Sequence, residues 1–245
     1  MKRQDGFTLI EIVIAMTILA MISIAAFQTS TDSFALRDSL YDEGTFYNSL
    51  NLTQGILERD FYNLTNPLLL LPPQPSGSPL PIEGQAVFWT NPVHPSGLRS
   101  ARLIGTETKL SFISTSHERM YRDMPESIYA KITYEVITDP TTHQKILTRT
   151  EDPRAFDLKE DVTRVAKSYE LLHNIVTFQL TYLRQDGETW NPGRTWDSNT
   201  TNALMPDIIM ITLTCKTEGA SRPMMFDGIL KFRSEHFLNG VPSTF

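Results

Sequence analysis

The chain has 245 residues, a formal net charge of −6 and one cysteine. An acidic balance argues against a protein that grips nucleic acid through phosphate contacts, and a lone cysteine excludes an intrachain disulfide. A share of 40% hydrophobic and 10% aromatic residues fits a folded domain and not a disordered stalk.

The N-terminus is the most informative part. Lys2, Arg3 and Asp5 are the only charges before Gly6-Phe7-Thr8-Leu9-Ile10-Glu11, and Ile12 to Thr31 contains no Asp, Glu, Lys or Arg. As a helix this run covers about 30 Å, the thickness of a bilayer's hydrocarbon core. A secretory signal peptide is one reading, with Ser23 and Ala25 as a small-x-small cleavage site. Glu11 weakens it, and the apolar stretch exceeds the usual core of about 7–15 residues. A plain single-span anchor needs only the length and leaves Gly6 and Glu11 unexplained. Either way, Lys2 and Arg3 place the N-terminus in the cytoplasm.

A third reading accounts for every detail. Gly6-Phe7-Thr8-Leu9-Ile10-Glu11 followed by an apolar run resembles the processing site of the type IV pilin and type II secretion pseudopilin superfamily. By that resemblance, a prepilin peptidase cuts between Gly6 and Phe7 on the cytoplasmic side, and the new Phe7 amine is methylated. Glu11 takes the family's glutamate position, the fifth residue of the mature chain. Cleavage exposes an α-amine, protonated near neutral pH, and a carboxylate in an apolar setting seeks such a cation. In the family's filament, Glu11 of one subunit attracts the Phe7 amine of a neighbour and sets the axial register. Loss of the leader moves the side-chain charge from −6 to −7.

The helix is expected to run on as an amphipathic half over residues 32–65. Leu36, Leu40, Tyr47, Leu50, Leu57, Phe61 and Leu64 follow heptad-like spacing, with Glu43 and Gln54 as polar breaches. Such a stripe packs a helix on its own globular domain; a coiled-coil partner is the alternative. Six carboxylates against two arginines make this half acidic. Gly44 and Gly55 are places for a bend, and Asn66-Pro67 is the expected stop.

Eight of the fifteen prolines lie between Pro67 and Pro95, which predicts an extended loop. Leu68 to Leu71, Val87, Phe88 and Trp89 suggest that it is pinned to the head. Strands are expected at Lys109–Thr115, Ile128–Ile137, Lys145–Thr150, Ile175–Leu183, Ile208–Cys215 and Met225–Arg233. Val176, Phe178, Leu180 and Tyr182 alternate with polar residues, the pattern of a half-buried strand. Asp152–Tyr169 reads as a loop or a short helix.

The head resembles the J-type minor pseudopilins of type II secretion systems (general secretion pathway protein J). Leu57-Glu58-Arg59-Asp60 closes the helix in that family's manner. Leu110-Ser111-Phe112, Ile132-Thr133-Tyr134-Glu135-Val136 and Ile146-Leu147-Thr148-Arg149 look like its central strands. Leu171-Leu172-His173-Asn174-Ile175-Val176, Asp186-Gly187-Glu188-Thr189-Trp190, Trp196 and Leu204-Met205-Pro206 follow in order. The Pro-rich 67–95 loop and Ser234–Phe245 do not match. Glu11 favours the J type over the K type, which typically lacks this glutamate.

The resemblance implies an α+β fold, a long N-terminal helix with a membrane-spanning half and an amphipathic half, packed on an antiparallel β-rich head. The divisions are a leader at 1–6, a transmembrane half at 7–31, the amphipathic half at 32–65 and a periplasmic head at 66–245. It implies a single-pass protein of the bacterial inner membrane, cytoplasmic at its N-terminus, that sits at the pseudopilus tip when assembled. Its partners would be the prepilin peptidase, the I, K and H minor pseudopilins and the major pseudopilin. The tip complex helps to initiate the filament that exports folded proteins. No cofactor, metal, nucleic acid or enzymatic activity is implied. The alternative is a W-like minor pilin of a type IV pilus.

Other constellations have plainer readings. His94, His117, His143, His173 and His236 are scattered, none at metal-ligand spacing. Asp186, Glu188, Asn191, Asp197 and Asn199 are oxygen-rich like a Ca²⁺ loop but lack its spacing, so an ordinary turn is expected. Trp190 and Trp196 flank Pro192-Gly193 and are expected to clamp that turn against a sheet. Cys215, in line with Ile209, Ile211 and Leu213, is expected to be a buried thiol.

Overall fold

The computed structural model describes residues 8–66, 68–70, 98–117, 128–153, 166–198, 200–201, 203, 205–217 and 224–233. One helix, α1, runs from Leu9 to Tyr62 without interruption through Gly44 and Gly55. At 54 residues it is about 80 Å long. Its first part is exposed throughout and is long and apolar enough to cross a bilayer. Side-chain hydroxyls there close on the helix itself: Thr17 donates to the Ile14 carbonyl, Ser23 to Leu19 and Thr29 to Ala25. These bonds let a run with several hydroxyl groups remain compatible with hydrocarbon.

Docking on the head begins with Phe46, partly buried against the core, and full burial begins at Leu50. Leu50, Thr53, Leu57, Asp60 and Phe61 are buried, whereas Leu36, Leu40 and Tyr47 stay exposed. The heptad-like stripe therefore divides, and only its C-terminal half packs on the chain's own domain. Thr53 fixes the start of this docked section by donating to the Leu171 carbonyl at 3.1 Å. The helix stops at Tyr62, before Asn66-Pro67. Asn63 leaves helical geometry, and its side chain donates to the Arg59 carbonyl at 2.7 Å. The backbone then pairs with a strand instead, through Thr65 N–H to Ile113 C=O and Thr115 N–H to Asn63 C=O, both 3.0 Å.

The strands are β1 (Leu68–Leu70), β2 (Leu98–Ser100), β3 (Ile104–Gly105), β4 (Lys109–Ser114), β5 (Ala130–Thr138) and β6 (Lys145–Asp152). They continue as β7 (Lys167–Leu172), β8 (Ile175–Asp186), β9 (Thr189–Gly193), β10 (Trp196–Asp197), β11 (Ile208–Lys216) and β12 (Met225–Arg233). All ladders are antiparallel: β1-β2 form a pair, β10-β3-β4-β5-β6-β7 a six-stranded sheet and β12-β11-β8-β9 a four-stranded sheet. The six expected strands form with ends shifted by three residues or fewer. β1, β2, β3, β7, β9 and β10 come in addition. The ambiguous 152–169 stretch falls mostly outside the described residues, and its end joins β7. The Pro-rich 67–95 loop, apart from β1, also lies outside them.

The core lies where the end of α1 meets both sheets. Phe61 stacks on Phe232 of β12, ring centroids 4.2 Å apart, and also meets Phe112 of β4 and Tyr134 of β5. The sheets are joined where Leu180 N–H donates to Glu107 C=O at 2.8 Å and the Tyr182 hydroxyl donates to Thr106 C=O at 3.0 Å. Tyr182 passes so close to Gly105 that a Cβ there would sit 1.9 Å from its hydroxyl oxygen. Only glycine fits beneath that ring.

One register irregularity changes a sequence expectation. The β11–β8 pairing shifts between Thr214 and Cys215, so that Cys215 faces Ile175. Ile175 and Phe178 both point inward, and Val176, expected inside by alternation, is 45% exposed. A bulge of this kind breaks the two-residue period that the expectation relied on.

Candidate functional site

Two places in the chain have the makings of a functional site: the first turn of α1 and the buried charges that hold its last turn. Gly6 and Phe7 lie outside the described residues. Thr8 is the N-cap residue of α1, in extended conformation, and Glu11 occupies the third helical position. The Glu11 carboxylate folds back to accept from the Thr8 backbone N–H at 3.3 Å and its hydroxyl at 3.2 Å. This reciprocal box satisfies donors that the helix leaves open, and the helix dipole favours a carboxylate there. Glu11 is exposed, without a cationic partner among the described residues. It is the one ionisable group between Thr8 and Thr31. The arrangement presents a negative charge at the mouth of an apolar rod, where it could meet a cation brought by another chain.

At the other end, Asp60 is fully buried on the docked face of α1. Arg149 of β6 donates to it from Nε at 2.5 Å and Nη2 at 3.2 Å, and the Tyr134 hydroxyl of β5 donates at 2.6 Å. Arg149 also pairs with Glu151, whose second oxygen meets His117 Nδ1 at 2.5 Å. Burial disfavours the Arg149 cation, but hydrogen bonds and charge from Asp60 overcome this and hold its pKa above the ordinary range. Burial likewise opposes ionisation of Glu151, and the bonds from Arg149 and His117 outweigh it and lower its pKa. Tyr134 is pushed well above its usual value, first by burial and then by the Asp60 charge. These shifts hold Arg149 charged, Glu151 ionised and Tyr134 neutral near neutral pH. That is the behaviour of a structural clamp.

Sequence reasoning quoted Asp60, Tyr134 and Arg149 only inside resemblance motifs and missed their meeting. A signal was available: Asp60 falls three residues after Leu57 and four before Leu64, in the apolar stripe. A carboxylate in such a place requires a partner.

The remaining candidates disperse. His117 is bound to Glu151, His173 lies 3.5 Å from Glu170, and His143 sits in a turn with positive φ. His94 and His236 fall outside the described residues. Asp186 and Glu188 belong to the β8–β9 hairpin turn around Gly187, while Asp197 is held by Arg102. Among the described residues no group of His, Cys, Asp and Glu could hold a metal ion. Trp196 is buried in the core, but Trp190 is 44% exposed, so the pair does not clamp the Pro192-Gly193 segment. β9 instead carries that segment as an edge strand beside β8. Cys215 is fully buried, and burial pushes its thiol up to about 11.

Comparison with known proteins bears on the first turn of α1. No similar curated protein was found. Among solved structures, the chain superposes on one from the GspK-GspI-GspJ complex of the enterotoxigenic Escherichia coli type 2 secretion system. The TM-score is 0.42 at 16% identity, over 77% of this chain and 97% of that one. Residues 1–27 match the prokaryotic N-terminal methylation motif. The chain thus carries that motif at the head of its membrane-length helix.

Proposed function

We propose that this chain is a minor pseudopilin of a type II protein secretion system, a subunit that works by assembly and not by chemistry. The observation that carries the reading is the methylation motif over residues 1–27, a span that includes Gly6-Phe7. Prepilin peptidase would cut between Gly6 and Phe7, and the Phe7 amine would be methylated. The segment from Phe7 to Thr31 would then sit in the inner membrane until extracted into a filament, with the head in the periplasm. The exposed apolar first half of α1 suits both environments, because its side chains meet lipid or neighbouring helices equally well. Glu11, offered at the start of that rod, supports a charge pair with the Phe7 amine of a neighbour.

Within this class the J type is favoured by the order of head segments from Leu57-Glu58-Arg59-Asp60 to Leu204-Met205-Pro206. In that role the chain would join the I, K and H types at the filament tip and help to start polymerisation of the major pseudopilin. Mass spectrometry of the mature N-terminus tests the class. A methylated Phe7 is expected, and an N-terminus at Ala26 would overturn it in favour of signal peptidase cleavage. Deleting the gene then separates outputs. Loss of exported proteins supports the secretion reading, whereas loss of surface motility with an intact secretome would assign a W-like type IV minor pilin.

A further inference from the structure

β12 is an outermost strand of the four-stranded sheet, and among the described residues only β11 pairs with it. Its nine residues leave one edge of backbone N–H and C=O groups open, a template for a further strand. Exposure alternates along it. Met225, Asp227, Ile229, Lys231 and Arg233 are exposed, and the residues between them turn partly inward.

The C-terminal end of this strand enters a groove of about 940 Å³ that the last turns of α1 share with the sheet. Leu183, Ile208 and Met210 give it an apolar floor, and Arg59, Lys231 and Arg233 line it with positive charge. Among the described lining residues the single acid, Glu58, already accepts from Gln54 at 2.8 Å. Arg59 lies 3.8 Å from Asp60, a carboxylate that Arg149 already holds. Among the described residues, neither Lys231 nor Arg233 has an ion-pair partner. In a chain of net charge −6, this is a local inversion of sign.

Charge, shape and position narrow the occupant. Lysine on an edge strand often serves only to keep other strands away. Here the cations flank an apolar floor, which a purely protective charge does not need. A bilayer holding the uncharged run does not reach them, because Arg59 lies about 42 Å along α1 from Thr31. A small anion would leave the floor and the open backbone edge unused. We infer that the groove takes an extended acidic segment of another protein, which adds as a strand to the free edge of β12. Acidic side chains two residues apart meet Lys231 and Arg233, and an apolar one covers Ile229. Asp227, next in the row, accepts from Thr214 at 2.9 Å and repels a further acid, which fixes the register. The inference does not depend on the secretion reading.

Fluorescence polarisation of a labelled peptide with the full-length chain in neutral detergent micelles tests this. In the probe, Thr alternates first with two Glu and then with two Val. It should bind at least about tenfold more tightly than the same peptide with Gln for Glu. Lys231→Glu/Arg233→Glu should lose that margin, whereas Lys145→Glu, exposed on the other sheet, should keep it. A probe with Lys for Glu should bind the double variant, which also shows that the variant is folded. N-methylation of alternate probe residues should abolish binding in one of the two possible sets and spare it in the other. Equal binding of the Glu and Gln probes, an equal loss with Lys145→Glu, or tolerance of both N-methyl sets would each overturn the inference. Binding seen only after removal of residues 234–245 would overturn it too, by giving the groove to the chain's own end. None of these results bears on the state of the N-terminus, so the proposed function is judged separately.

Discussion

The Arg149 guanidinium reaches the Asp60 carboxylate with two of its nitrogens, joining β6 to the last turn of α1 where neither side chain meets solvent. Two opposite charges buried together gain little over an apolar pair, but removing one strands the other. Asp60→Ala should therefore destabilise the head by about 3–5 kcal/mol, and Arg149→Met by a similar amount. The Asp60→Leu/Arg149→Met double variant should recover much of that loss. Chemical denaturation of the detergent-solubilised chain, read as a double-mutant cycle, checks this. Additive losses would mean that the two residues act independently.

The same cluster sets an acid limit. Glu151 has a folded pKa below its ordinary value, so at a given acid pH the native state binds fewer protons at this group than the unfolded state does. Its contribution is fully present above the unfolded value of about 4.3 and is lost as pH falls through the lower folded value. Thermal unfolding from pH 6 downward should show a fall in Tm in that window. Glu151→Gln should flatten this fall, and an unchanged profile would remove Glu151 from the acid response.

Much of this was legible in the sequence, for physical reasons that differ by element. The motif from Gly6 to Glu11 is local chemistry, and strands such as β11 announce themselves by alternation of Ile209, Ile211, Leu213 and Cys215. The Asp60–Arg149 clamp was not legible, because it joins residues 89 apart and periodicity carries no pairing information. Val176 failed because a bulge shifts the register within its own strand. The division of the α1 stripe at Leu50 was hidden for a third reason. Leu40 and Leu57 have the same residue type and spacing, and only the extent of the head decides which of them is covered.

Gly105 tests the junction of the two sheets. A Cβ there would collide with the Tyr182 hydroxyl, and the ring is held by its bond to Thr106 C=O. Gly105→Ala should cost about 1–3 kcal/mol, the range for overpacking a well-filled core. Combined with Tyr182→Leu, the alanine should cost less than it does alone. If its cost were unchanged, the strain would lie in the β3 backbone and not in the tyrosine contact.

Cys215 offers a probe of integrity. Its thiol is fully buried and its pKa is raised to about 11 by burial, so little thiolate exists at neutral pH and a reagent cannot reach it. Thiol labelling should be negligible in the folded chain and complete in denaturant. Rapid labelling under native conditions would mean that β11 opens readily towards β8 or β12.

Glu11 ties the helix to the proposed assembly. Among the described residues its carboxylate bonds to Thr8 alone, within its own first turn, so replacing it leaves the docked end of α1 and the head untouched. Loss of the capping interaction costs a helix end about 1 kcal/mol, too little to unfold a helix this long. Glu11→Ala is therefore expected to be cleaved after Gly6 almost as well as the native precursor, yet to enter filaments poorly. Glu11→Asp, with the charge retained on a shorter stem, should lie between the two. Co-assembly can be read by cross-linking in cells that produce the other subunits, with N-terminal mass as the control for processing. Native levels of Glu11→Ala in filaments would remove the charge pair from the assembly mechanism and leave Glu11 a capping role alone.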